Sequence, residues 1–441
     1  MSRMADAGRA PAPHDVRLAS AAVFAVFLLS GVNFASWAAR LPAVRDALDL
    51  TPERMGVLLL IGAFGSLFSL PLSGMVVERL GARRTVLGFA VLNALGFAVA
   101  SLGVALGEVV LVGAGLVLAG IGAGVWDAAM NIEGAVVEQR LGRTVMPRFH
   151  AGFSFGTMAA AGLAAGAAAL HVPVQVHLPV VVALSSVAVA VAVRAFLAGP
   201  EPDRGPDRGP DDGPAGDLDR AQAPTAPAGA VTGAPAPRGA ARAALRAWLE
   251  PRTLLIGLVV LAAALTEGAA NDWVSLAVVD GFDTGHATGA IGFGLFVTAM
   301  TAMRLFGTPL LDRYGRVAVL RLCAGLAAVG LLVFGLADQL WLALAGVVAW
   351  GMGAALGFPV GMSAAADDPL RAAPRVAVVS TIGYSAFLAG PPLLGLLAEH
   401  VGYRHALLAI LAPVVLGLLV MSAARPLPVT PAVAAASPRA H

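Results

Sequence analysis

The chain has 441 residues, 58% hydrophobic and only 13% charged, with a formal net charge of +2 and a mean hydropathy of +0.81. A soluble chain carries about a quarter charged residues, so this one is solvated by lipid. All 29 basic residues are arginine, which excludes a lysine-bearing P-loop and Schiff-base chemistry, and the single cysteine, Cys323, excludes an internal disulfide or a cysteine-rich metal site.

Apolar runs of about 20 residues, enough to cross ~30 Å of hydrocarbon, centre near Leu28, Phe68, Leu95, Leu116, Ala160, Val187, Leu261, Ala299, Ala327, Val348, Leu388 and Val415. These twelve runs are expected to be helices, because a lone strand leaves its backbone unpaired in lipid. The predicted order is a cytoplasmic tail (1–17), a six-helix bundle (18–198), a disordered cytoplasmic linker (199–250), a second six-helix bundle (251–425) and a cytoplasmic tail (426–441). The linker is rich in proline, glycine and charge and cannot bury a core; Arg242 to Trp248 is a candidate surface helix. With the amino terminus inside, the inward segments hold 24 arginines, the outward ones four (Arg40, Arg45, Arg54, Arg404), and Arg304 falls within a span. That asymmetry predicts cytoplasmic termini.

In chain order, the first polar intruder is Asn33 in span 1. Between spans 2 and 3 lies Glu78-Arg79-Leu80-Gly81 with Arg83 and Arg84; 234 positions later, between spans 8 and 9, lies Asp312-Arg313-Tyr314-Gly315 with Arg316. An acid, an arginine, a spacer and a glycine describe a tight turn at a membrane face. Its recurrence predicts two copies of one six-helix unit, an all-α membrane protein of two pseudo-symmetric bundles. Span 4 carries Trp126, Asp127 and Asn131, and span 7 carries Glu267, Asn271, Asp272 and Trp273. Both acid–asparagine pairs have i, i+4 spacing and share a helix face. A carboxylate at a helix centre costs about 2.5–3.5 kcal/mol on the insertion scale, so Asp127 and Glu267 are candidate protonatable sites in a wet pathway. A structural role in holding helices together is the alternative for each, and is preferred for Asp272 and Glu138, the latter with an arginine of loop 2–3. Arg304 lies about 12 Å before Asp312 along span 8, and Asp367 or Asp368 is its candidate partner. His150 reads as a satisfied interfacial residue. Ser380, Thr381, Tyr384 and Ser385 give span 11 a hydroxyl-rich stretch.

Twelve spans, a central loop and the repeated cassette resemble the major facilitator superfamily over nearly the whole chain. Gly74 through Arg84 is close to that family's loop motif, with Glu78 in the usual aspartate position. Asp127-Ala-Ala-Met-Asn131, Glu267 through Trp273 and Gly390-Pro391-Pro392 resemble its fucose-permease-like sugar symporters and their bacterial relatives. The resemblance implies proton coupling at Asp127, with Asn131 beside it. The branch's other acid is missing: Ala38 occupies its place. It also implies that spans 1, 4, 7 and 10 line a central cavity, and these carry Trp37, Trp126, Trp273 and Trp350. Tryptophan faces stack on sugars and cations.

The expected protein is therefore a proton-linked carrier of a small hydroxylated solute in the bacterial inner membrane, monomeric, without cofactor, metal or nucleic-acid partner. Asp127 and Glu267 are the candidate coupling acids. Asn33, Trp126, Asn131, Asn271, Trp273, Trp350 and Tyr384 are candidate substrate contacts. Glu78, Arg79, Gly81, Arg83, Asp312, Arg313 and Gly315 form candidate gating turns, and Arg304 with Asp367 a structural charge pair. The rivals are an exporter of drugs or metabolites with the same fold, and a non-transporting receptor or scaffold. No HExxH motif supports an enzyme.

Overall fold

The structure, a computed structural model, describes residues 13–143, 145–197, 245–368 and 371–427. Most of both tails and of the predicted linker lie outside these residues; residues 13–17 of the predicted tail belong to α1, and residues 245–248 at the end of the predicted disordered linker are helical. The first bundle comprises α1 (Pro13–Ala38), the short α2 (Leu41–Ala47), α3 (Pro52–Leu80), α4 (Ala82–Leu106), α5 (Val109–Leu141), α6 (Met146–Ala169) and α7 (Val174–Ala192). The second comprises α8 (Pro251–Gly281), α9 (His286–Tyr314), α10 (Arg316–Leu336), α11 (Leu340–Ala354), α12 (Gly357–Ala365), α13 (Ala372–Ala406) and α14 (Leu411–Val420). Among the described residues there is no strand.

Local chemistry sets the helix ends. Thr51 accepts from the Arg54 amide and Pro52 opens α3, a side-chain cap followed by the residue that needs no amide partner. Glu138 accepts from the Val145 and Met146 amides at 2.6 and 2.7 Å, capping α6. The sequence pairs this acid with an arginine of loop 2–3. The cap prevails because two orphan amides lie within reach of the carboxylate and reward it without a second long side chain.

Eleven helical stretches are long and apolar enough to cross a bilayer, and the last runs 53 residues, Ala372–Ala424. A straight helix of that length would measure about 80 Å, far beyond any membrane. It is broken at Gly402, whose φ of 77° and ψ of 158° lie outside the helical region. The stretch crosses twice, and the spans number twelve. Gly81 (77°, 154°) and Gly315 (74°, 158°) make the same turn. The positive φ favours glycine at all three. Glu399-His400-Val401-Gly402-Tyr403-Arg404 is thus a third copy of the acid–x–x–Gly turn, with an arginine one or two residues after the glycine, at the opposite face.

Pseudo-symmetry is visible in the packing. A Cβ on Gly96 of α4 would stand 2.6 Å from the Gly115 carbonyl oxygen of α5; one on Gly330 of α10 would stand 2.6 Å from that of Gly346 on α11. Both helix pairs meet backbone to backbone, the contact small residues permit in lipid. The bundles themselves are joined at the face opposite the first two cassettes. There α3 meets α13, where a Cβ on Gly56 would approach the Pro391 carbonyl to 2.6 Å and one on Gly395 the Pro52 carbonyl to 2.6 Å. Arg45 pairs with Asp280 at 3.0 Å, and His286 Nε2 donates to Asp46 at 2.7 Å. The Glu399 carboxylate, one residue of the third cassette, accepts from the Glu53 amide at the start of α3 at 3.2 Å. The Arg45 guanidinium lies 5.7 Å over the Tyr403 ring.

Candidate functional site: a polar cleft between the bundles

On α5, Leu118 and Asp127 are both exposed. Nine residues are two and a half turns, so the two point in opposite directions. The apolar face meets lipid. The acidic face looks toward the second bundle, where Asp127 lies within electrostatic range of Tyr384 on α13. Asn131, one turn along, donates its amide to the Asp127 carbonyl at 2.8 Å. A mid-span acid within electrostatic range of a tyrosine on the other bundle marks a polar cleft between the two.

The second bundle answers with a charge pair. Arg304 on α9 donates to Glu267 on α8 at 2.9 Å, and its Nε donates to the Ala355 carbonyl at 3.1 Å. That carbonyl is free because the helix is interrupted between α11 and α12. Arg304 also lies within electrostatic range of His150 on α6, across the cleft. Asp127 and His150 on one wall therefore oppose Tyr384, Glu267 and Arg304 on the other. Apolar rings flank them: Phe27 meets His150 edge-on at 5.1 Å, and Tyr384 sits 5.9 Å from Phe358 and 6.4 Å from Phe387. Such a surface offers charge-assisted hydrogen bonds beside aromatic faces.

Several sequence-based expectations are corrected. Arg304 does not pair with Asp367. Asp367 sits at the cassette end of the second bundle, bound by Arg316 and, at 2.8 Å, by Arg252, whereas Glu267 stands level with Arg304 in mid-span. Asn33 is 3% exposed and donates to Asn93 at 3.0 Å, and Asn93 donates to the Ala119 carbonyl at 2.9 Å. It staples α1, α4 and α5 rather than facing the cleft. Trp126, Trp273 and Trp350 are each 1% exposed or less. Trp350 donates to the Thr266 carbonyl at 3.1 Å and meets Phe296 edge-on, and Trp273 packs on Tyr403. Successive helical residues diverge by about 100°, so Trp126 faces the core because Asp127 faces the cleft. Thr381 and Ser385 turn their hydroxyls to their own helix, onto the Ala377 and Ile382 carbonyls. Asn271 and Asp272 are half-buried.

The cassette residues Glu78, Arg79, Gly81, Arg83, Asp312, Arg313 and Gly315 are exposed. Arg313 folds over Tyr314, 5.3 Å from its ring. The ion pairs nearby link parts of the second bundle to one another: Arg316 and Arg252 with Asp367, and Arg371 and Arg375 with Glu250. With the bundles joined at the opposite face, the cleft opens toward the cassettes. The Arg304–Glu267 pairing escaped sequence reasoning, and His150, read as an interfacial residue, lies instead within range of Arg304 across the cleft. The one available signal was that Glu267 and Arg304 are both charged, in mid-span and on adjacent helices.

Two six-span bundles, repeated turns and a polar cleft between them define a membrane carrier. The chain belongs to the Major Facilitator Superfamily, whose sequence profile matches residues 22–367 and, in an overlapping match, 256–440. It is a transporter rather than an enzyme. It is 33% identical over 403 residues to the uncharacterized transporter y4wD of Sinorhizobium fredii (strain NBRC 101917 / NGR234), covering 89% of this chain and 97% of that one. It is 26% identical over 401 residues to the membrane protein MosC of Rhizobium meliloti, covering 90% and 88%. Among solved structures, the nucleoside transporter NupG superposes with a TM-score of 0.68 at 14% identity, covering 92% of this chain and 98% of that one. A single-residue variant of the E. coli fucose:proton symporter FucP superposes with a TM-score of 0.59 at 15% identity, covering 92% and 98%. At these identities the likeness is one of fold.

Proposed function

We propose that the chain carries a small hydroxylated solute across a bacterial inner membrane by alternating access, coupled to protons at Asp127. The observation that carries this reading is an exposed carboxylate in mid-span, facing a tyrosine and an arginine–glutamate pair on the other bundle. A carboxyl group held in a cleft between two apolar bundles binds and releases a proton as the cleft's water content changes. Asn131, Asn271 and Tyr384 supply neutral donors and acceptors for hydroxyl groups. Glu267, fixed by Arg304, is an acceptor and a second coupling group. The resembled carriers named for nucleosides and fucose take polyhydroxylated solutes, which supports that substrate class.

The arginine asymmetry supports a cytoplasmic position for the cassettes and both termini; in that orientation the structure is open inward and latched outward. Glu78 and Asp312, exposed here, would engage when the cytoplasmic side closes. The two bundles would rock about the midplane site.

The test is reconstitution into proteoliposomes. Asp127→Asn is expected to abolish accumulation driven by an imposed proton gradient while sparing exchange of solute down its own gradient. Unchanged accumulation removes Asp127 from the mechanism. Running the gradient in both directions separates uptake from export.

A further inference from the structure

Arg40 sits at the latched face, between α1 and α2, and is 3% exposed. Its Nη2 donates to the Val172 carbonyl at 2.7 Å. Among the described residues, Nε and Nη1 have no hydrogen-bond partner, and no carboxylate lies within electrostatic range. Beside it, within range of its charge, is His177 in the first turn of α7, 8% exposed, with both ring nitrogens unpartnered. Ser36, one turn before Arg40 on α1, is fully buried, and its hydroxyl is unpartnered too. Their chain neighbours Ala39, Val174 and Leu178 belong to the buried apolar core.

A guanidinium does not shed its proton in a protein, and an uncompensated buried charge costs several kcal/mol. Water could satisfy the N–H groups but not the charge. Ser36 and Arg40 stand one turn apart and share a face, and His177 lies within range of the Arg40 charge, so buried donors of α1, α7 and the α1–α2 corner neighbour one another. We propose that Arg40, His177 and Ser36 form a binding site for a small inorganic anion of chloride size, separate from the cleft. Arg40 caps α2, which carries Arg45 and Asp46 of the outer latch. A bound anion would therefore stiffen the latched face and favour the state described here.

The probe is chloride. The full-length protein, in neutral detergent, is melted while sodium gluconate is replaced by sodium chloride at constant ionic strength. A saturable rise in melting temperature is expected for the wild type and its loss in Arg40→Gln. Ser36→Ala keeps the charge and removes one donor, so it tests the site even if Arg40→Gln fails to fold. Its half-saturating chloride concentration is expected to rise about tenfold, the loss of one hydrogen bond to a charged group. Crystals soaked in bromide should show anomalous scattering between Arg40 and His177. The proposal is overturned by no chloride-dependent rise in the wild type, by an equal rise in Arg40→Gln, or by unchanged half-saturation in Ser36→Ala. A rise produced by anionic phospholipid alone also overturns it.

Discussion

Trp126 and Asp127 are adjacent in sequence, yet one packs among core side chains and the other faces the cleft. The sequence shows that both are unusual in mid-span but not which way α5 is rotated, because glycines and alanines around them give no clear apolar stripe. Rotation is decided by packing: Gly122 lies against Asn93 on α4 and Gly124 against Ser66 and Ser69 on α3. The same ambiguity hid the partner of Arg304, because Asp367 and Glu267 were both acids within plausible reach until depth was known. The Glu267–Arg304 pair makes a quantitative prediction. Each partner is partly exposed, at 20% and 32% of its side chain, so the coupling is screened below that of a fully buried pair. Glu267→Gln or Arg304→Gln alone is expected to destabilise the protein by about 1–2 kcal/mol. The double variant should cost less than the sum, measured as a double-mutant cycle in thermal melting. Strict additivity would show that the two do not interact.

At the cassette end of the second bundle, acids hold elements together. Burial pushes the Asp367 carboxyl up, but hydrogen bonds from Arg316 and Arg252 outweigh it and leave it below the usual range. Hydrogen bonding from Arg375 holds Glu250 down as well. Both groups are more acidic folded than unfolded. Their contribution is therefore fully present above about pH 5 and lost as pH falls through the carboxylate range. Asp367→Asn should lower the melting temperature at pH 7 and flatten its fall between about pH 5 and 3, since one of the titrating groups has gone. A variant with the wild-type acid profile would remove Asp367 from this network.

Among the elements, helices and their number were legible because lipid demands long apolar runs, and all twelve centres read from the sequence fall within helices. The first two cassettes were legible because their charges are dense. The third, Glu399 to Arg404, has one acid and one arginine separated by His400, Val401, Gly402 and Tyr403. Only the repeated glycine geometry reveals its kinship with the others. Its acid caps α3 of the opposite bundle, so this turn fastens the face opposite the one that the other two leave open. Interbundle closure depends equally on Gly56 and Gly395, where backbones meet without side chains between them. Gly56→Leu is expected to wedge α3 from α13 and unlatch that face. The readout is the rate at which an impermeant thiol reagent modifies Ser275→Cys, whose hydroxyl lies at the α1–α8 contact near the Ala38 carbonyl. A several-fold faster reaction is expected with Gly56→Leu than without it. An unchanged rate would mean that the latch does not depend on this close approach.

For the whole molecule, the central claim is that two pseudo-equivalent bundles enclose a wet cleft reaching Asp127 from the cassette side and closed from the other. Cys323 is buried, at 1% exposure, so the wild-type chain is its own unreactive control. Asp127→Cys should be labelled by a membrane-impermeant thiol reagent applied to the cytoplasmic face of inverted vesicles, and spared when the reagent is applied from outside in the absence of solute. Labelling from outside alone, or from neither face, would contradict the account.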